Sequence, residues 1–159
     1  MHDALTCGRR VRPFNVVDDF NREALAIEID LNIPARQLEW VLNRIVANRG
    51  FPLKRRMDNG PKLISLALAQ RAEAHDVMLE FIKPGKPTQN AFIERFNRTH
   101  RTEILDFYLF RTLNEAREIT ERWLNEYNSE RPHESLNNLT PEEYRLMAEN
   151  TEISKSVWN

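Results

Sequence analysis

The chain has 159 residues, 41% of them hydrophobic and 30% charged, with a net charge of −1; this is enough for one packed core and excludes fibrous, low-complexity and disordered classes. Its uncharged apolar runs, such as Ile64 to Ala69, are too short to cross a membrane, and no basic-then-apolar leader opens the chain, so a cytosolic location is expected. One cysteine, Cys7, excludes an internal disulfide, and with four scattered histidines it cannot build a Cys/His zinc site, which leaves carboxylates to hold any catalytic metal.

Residues 1–30 read as β-structure. Thr6-Cys7-Gly8-Arg9 is a turn between the tail of one strand and a second strand over Arg12–Asp18. Leu25, Ile27 and Ile29 then alternate with Ala26, Glu28 and Asp30, the period of a half-buried strand. At Pro34 the period changes: Leu38, Val41, Leu42 and Ile45 recur at helical spacing, with Pro34 at the first turn and Gly50 past the end. Lys54–Met57 is a short strand ending at Asp58, Pro61 starts a helix with Ile64, Leu68 and Ala72, and Met78–Ile82 is a further buried strand. This alternation predicts an α/β sheet with parallel members.

Lys83-Pro84-Gly85-Lys86-Pro87 can continue neither a strand nor a helix and is expected to be a loop. A helix through Glu94 follows it. Thr112 to Glu115 is a capping box before a helix with Ala116, Ile119, Trp123 and Tyr127 on one side, and Thr140 to Glu143 is a second box with Pro141 at the first helical position. No repeat or linker interrupts the chain, so residues 1–159 are read as one domain with 112–159 as its C-terminal helical part.

Charge is uneven along this order. Residues 83–101 carry Lys83, Lys86, Arg95, Arg98 and Arg101 against Glu94 alone, whereas 113–152 carry ten Glu against four Arg. A basic surface near one helix and an acidic, solvated face elsewhere follow from that. On the helix, Asn90, Glu94, Asn97, Arg98 and Arg101 share a face, with Phe92 and Phe96 roughly opposite as core anchors. One carboxylate, two amides and two guanidiniums suit a metal-bound phosphate. Lys54-Arg55-Arg56 and Lys83/Lys86 are expected to contact a DNA backbone without reading its sequence.

Asp58 and Glu94 have 35 residues between them, with Asn59-Gly60 after the Asp and Asn97 three residues after the Glu. Val16-Val17-Asp18-Asp19-Phe20-Asn21-Arg22-Glu23, Asp58-Asn59-Gly60-Pro61, Lys83–Asn97, Tyr127-Asn128, Arg131-Pro132-His133, Ser135-Leu136 and Thr140-Pro141 follow in order along nearly the whole chain. With that spacing, the chain resembles the catalytic part of bacterial insertion-sequence transposases of the DDE/retroviral-integrase type. The resemblance implies a ribonuclease H-like mixed α/β sheet flanked by helices, with C-terminal helices. It implies an enzyme of the bacterial cytoplasm and nucleoid that cleaves DNA at transposon ends and transfers the freed 3′-hydroxyl to target DNA with Mg²⁺ or Mn²⁺. Self-association, or association with full-length transposase, is the expected assembly. Carried over by residue, Asp58 and Glu94 are two of three metal-holding catalytic carboxylates, and Lys83, Lys86, Asn97, Arg98 and Arg101 are DNA contacts. No chemical role falls to Arg131-Pro132-His133, which reads as a helix stop and a packed loop.

The resemblance also implies a first catalytic Asp on a strand of which only Met1–Leu5 is present, so that Asp would fall just before Met1 and catalysis is expected to be impaired. Asp3 is the nearest substitute, and Asp18 and Asp19 match a different signature. Lys62-Leu63 and Arg71 depart from the family's usual Glu-Phe and aromatic residue. A non-catalytic DNA-binding or interaction fragment that modulates a full-length transposase is the second reading. A nuclease of RNA–DNA hybrids ranks third, because the tail motif does not fit it.

Overall fold

A computed structural model describes residues 3–57, 66–82, 85, 91–150 and 157–158. The first strand, β1 (Asp3–Ala4), turns through Gly8, whose φ of +83° suits a residue without a Cβ, into β2 (Arg10–Val17). Strand β2 pairs antiparallel with β1, placing Asp3 opposite Val11, and with β3 (Ala24–Asp30) on its other side. Helix α1 (Ala35–Arg49) begins after Pro34 and ends at Gly50, whose φ of +75° lets its N–H reach the Val46 carbonyl at 2.8 Å. Its buried residues are Leu38, Val41, Leu42 and Ile45, as their spacing requires.

The second sheet has β4 (Lys54–Met57) at its centre, parallel both to β5 (Met78–Phe81) and to β6 (Val157–Trp158), with α2 (Leu66–Ala74) between β4 and β5. The expected parallel crossover is therefore present. The β6 pairing had no signal in the sequence. Through it, Trp158 also bridges Asp18, so the chain's last strand joins the two three-stranded sheets. Helix α3 (Ala91–His100) runs on into a π-helical turn (Arg101–Leu105), and α4 (Leu113–Ser129) and α5 (Pro141–Asn150) follow.

Apolar clusters cover both faces of the β2–β3 ribbon. Adjacent Val16 and Val17 point to opposite sides, as a pleated strand demands. Val17 and Ile29 pack with Phe96, Ile104, Phe110, Trp123 and Tyr127, whereas Val16 and Ala26 pack with Val41, Leu42, Met57 and Trp158. Full burial of each valine contributes about 1.5–3 kcal/mol.

Two expected patterns are corrected here. Leu25 does not share a face with Ile27 and Ile29: the register runs Val16 to Ala26 and then Val17 to Ala24, so Leu25 is the extra residue of a bulge and packs on the α1 side. Strand β5 is not buried either. Met78 is 62% and Phe81 40% exposed, because β5 is an edge strand that pairs only with β4 among the described residues.

The segment from Asp18 to Glu23 ties these layers together. Glu23 is buried and takes Arg49 of α1, Arg145 of α5 at 3.4 Å, and the Asn21 side-chain amide at 2.9 Å. Asn21 also donates to the Pro141 carbonyl, and Asp19 takes Arg56 of β4 at 2.7 Å. Both threonines cap their helices, but only the Thr140 box is reciprocal, because the Glu115 carboxylate takes the Arg111 N–H instead. Thr112 accepts from Glu115 N–H at 3.1 Å, and Thr140 and Glu143 each accept the other's backbone N–H. Such caps contribute about 1 kcal/mol each.

Candidate active site and nucleic-acid face

Glu94 lies in the first turn of α3 and is exposed, at the helix end where the aligned peptide dipoles favour a carboxylate. Ile93, Phe96 and His100 fix the rotation of α3 by facing the core, which turns Glu94 and Arg98 outward and leaves Asn97 at the edge between the two faces. Asn97 is half-buried, and its Oδ1 accepts from Asn15 Nδ2 at 2.7 Å, a direct link from the Glu94 helix to β2. Arg98 is exposed, and Arg101 opens the π-helical turn with Asp106 3.3 Å away.

Asp58 follows Met57, the last residue of β4, but Asp58 itself lies outside the described residues, as do Lys83 and Lys86. Its distance from Glu94 is therefore not part of the observed geometry. Of the expected site residues, the structure brings Glu94, Asn97, Arg98 and Arg101 onto one helical run.

Two expectations on this face are corrected. Phe92 is not a core anchor: it is 38% exposed and lies under the Arg22 guanidinium, 3.3 Å from its ring centre. One turn later Phe96 takes that role, against Trp123 and Tyr127. Lys54-Arg55-Arg56 do not form a free basic flank. Lys54 and Arg56 pair with Glu80, and Arg55 points into the core at 6% exposure, as alternation along β4 requires. The histidine closing α3 was also unassigned. His100 is fully buried between Phe96 and Trp123, and neither ring nitrogen has a partner.

Two buried groups make stability depend on pH in opposite directions. Burial, helped by Arg101, lowers the His100 pKa to about 4 from 6.5, so the unfolded chain binds the extra proton between those values and acid destabilises the fold. Burial raises the Asp18 carboxyl to about 6 from 3.8; the Phe20 N–H and Arg49 oppose this, and Glu23 and Asp19 add to it. Here the folded state holds the extra proton, so stability is lost as pH rises through 6. Between pH 4 and 6 the two slopes cancel. Removing one exposes the other, at about 1.4 kcal/mol per pH unit. Relative to the parent chain, Asp18→Asn should gain about 2 kcal/mol of stability on going from pH 4 to pH 6, and His100→Leu should lose a similar amount. Urea unfolding of the three proteins at both pH values measures this, and parallel pH profiles would refute it.

The donor chemistry is that of a hard cation's ligands, carboxylate and amide oxygen. The number of donors falls short: among the described residues no group of three His, Cys, Asp or Glu side chains is placed to hold a metal ion. Asp19 is engaged by Arg56, Asp18 is buried beside Trp158, and Asp3 lies on β1. Also among the described residues, no helix is long and apolar enough to cross a membrane.

Comparison with known proteins fits this geometry. A family model described as "Integrase core domain" matches residues 1–87, and a second with the same description matches residues 75–141. An insertion element IS407 uncharacterized 31.7 kDa protein of Burkholderia multivorans is 46% identical over 142 residues, covering 89% of this chain and 51% of its own length. An insertion element IS476 uncharacterized 39.2 kDa protein of Xanthomonas euvesicatoria is 38% identical, covering 89% of this chain and 41% of its own. The chain thus spans about half or less of the length of these curated relatives.

Among solved structures, a chain of the simian T-cell lymphotropic virus intasome superposes with a TM-score of 0.75 at 17% identity, over 91% of this chain and 51% of that one. The HTLV-2 integrase catalytic core domain in complex with magnesium gives 0.68 at 15% identity, over 91% and 90%. The BIV integrase catalytic core gives 0.68 at 16%, over 97% and 95%. At these identities the likeness establishes the fold, the ribonuclease H-like architecture of integrase cores.

Proposed function

Because this chain belongs to the integrase core domain family, we propose that it is the catalytic core of an insertion-element transposase, cutting DNA at the element's ends and joining the freed 3′-hydroxyl to target DNA. The observation that carries this reading is the run of exposed Glu94 and Arg98 with half-buried Asn97 on α3, anchored to β2 through Asn15. The kinship with insertion-element proteins supplies the DNA context. In this reading Asp58 and Glu94 contribute carboxylates to a divalent cation, Mg²⁺ or Mn²⁺, whose chemistry is to stabilise charge on phosphate oxygens.

The protein's own part is positional and electrostatic. Glu94 projects from a helix whose rotation is set by Ile93, Phe96 and His100, so its carboxylate is held without depending on a loop. Asn97 sets the height of α3 against β2. Arg98, Arg101, Lys83 and Lys86 meet phosphates along the bound strand, which makes affinity steeply salt-dependent and largely indifferent to base sequence. Self-association, or association with a longer transposase, belongs to the same reading.

The test is nicking and joining of labelled DNA in Mn²⁺ and Mg²⁺ by the chain and by Glu94→Gln. Glu94→Gln is expected to lose activity by more than about 100-fold while keeping the fold and most DNA affinity. Equal activity in the two proteins would remove Glu94 from the chemistry. DNA binding without nicking or joining by either protein would favour a non-catalytic, modulating role.

A further inference from the structure

Two sequence segments that the catalytic reading leaves unused meet beside α3. Arg22, from the segment joining β2 to β3, and Arg131 and His133, from the turn after α4, converge with Arg95 around a cleft of about 210 Å³. Arg95 sits roughly 100° round α3 from Glu94, so the cleft opens on the flank of the proposed DNA face. Its apolar wall is Phe92, Phe96 and Tyr127, and among the described residues no carboxylate lines it.

Each basic group is placed rather than splayed. Arg22 has a left-handed backbone, φ +61°, which a non-glycine residue adopts at a cost of about 1 kcal/mol or more. That turn lays its guanidinium on Phe92 and over the Asp19 carbonyl, leaving its buried Nε without a partner. Arg131 lies over Tyr127, 5.3 Å from the ring centre, and is held from behind by Glu103, which also accepts from Trp123. His133 meets the Tyr127 ring edge-on, and its Nε2 is buried with no hydrogen-bond partner among the described residues. Arg95 makes no ion pair with any described residue.

We propose that this cleft is a phosphate-binding subsite that takes one backbone phosphate of a nucleic-acid strand running past the Glu94 helix, a proposal that rests on the DNA-processing reading above. Three guanidiniums offer paired donors to phosphate oxygens, and His133 adds a ring nitrogen inside the same cleft. The aromatic wall keeps water from the guanidinium faces and strengthens the attraction. A phosphate there would satisfy the open donor on Arg22 and offset a repulsion already built in. Burial first, and then Arg131, Arg22 and Arg95, hold the His133 imidazole below its usual pKa.

The experiment follows the His133 ring protons by NMR, assigned by their loss in His133→Asn, while pH is varied. It is run in chloride, in inorganic phosphate and with a short single-stranded oligonucleotide at low salt. A strand phosphate among the guanidiniums should move the His133 midpoint to higher pH by about half a pH unit or more. Arg95→Gln should abolish that movement, Arg95→Lys should restore part of it, and Arg36→Gln, at the exposed start of α1, should leave it intact. A His133 signal that ignores the oligonucleotide, or responds equally in Arg95→Gln, overturns the proposal. A response to phosphate but not to the oligonucleotide also overturns it, in favour of a free-anion site. Failure of the catalytic reading would show separately, as absent nicking and joining while the His133 response persists.

Discussion

Glu23→Ala is expected to destabilise the protein by about 3–5 kcal/mol, because it removes the carboxylate from beneath two guanidiniums. Glu23 is 5% exposed, accepts from Arg49 of α1 and from Asn21 of the same turn, and forms an ion pair with Arg145 of α5. Arg49 and Arg145 are only about a quarter exposed, so neither regains full hydration when its partner goes. The neutral replacement Glu23→Gln keeps the volume and an acceptor for Asn21, and should cost less, about 2–3 kcal/mol. Urea unfolding checks both: the midpoint should fall with little change in slope, and heating should show a loss of roughly 10 °C for the alanine variant. A loss under about 1 kcal/mol would mean that these arginines are satisfied elsewhere and that the segment joining β2 to β3 is not the tie between layers.

Trp158→Ala should be about as damaging, roughly 3–5 kcal/mol, although it lies next to the last residue. Chain ends usually tolerate change because they are poorly tied down. This one is not: Trp158 is 2% exposed, pairs with Arg55 of β4 and bridges Asp18 after β2. It also packs with Val16, Val41, Leu42 and Met57. Removing it opens a cavity and separates the two sheets along their shared seam. Ending the chain at Ser156 should lose as much, whereas Trp158→Phe should retain most of the stability. If truncation cost less than about 1 kcal/mol, β6 would be an ornament on a sheet closed by other means.

Much of the architecture was legible locally. Helix α1 was bounded by Pro34 and Gly50 and faced by Leu38, Val41, Leu42 and Ile45, because a 3.6-residue period and its stop signals are properties of adjacent residues. Both threonine caps formed where Thr and Glu stand three apart, for the same reason. The run Glu94, Asn97, Arg98 was legible as one face of a helix. Family membership was legible as well, since the motifs that carry it are ordered along nearly the whole chain and the family models span residues 1–141.

Spacing along the chain could not say which equally spaced residue meets which neighbour. Phe92 and Phe96 are equivalent by period, yet only Phe96 reached the core, since β2, β3 and α4 cover one side of α3 and Arg22 covers the flank. Leu25 lost its place beside Ile27 and Ile29 to a bulge that only the pairing with β2 reveals. Arg55 looked like part of a basic flank, but the sheet turned it inward and left Arg56 to Glu80 and Asp19. The sequence by itself determined the helices, their caps, the alternation of strand and helix, and the family, all of which rest on short-range periodicity and ordered motifs. Only the tertiary structure decided that Val157–Trp158 closes the sheets, that Glu23 joins α1 to α5, and that Arg22, Arg95 and Arg131 share one cleft. Those are contacts between residues from 26 to more than 100 positions apart, set by which faces the core leaves for one another.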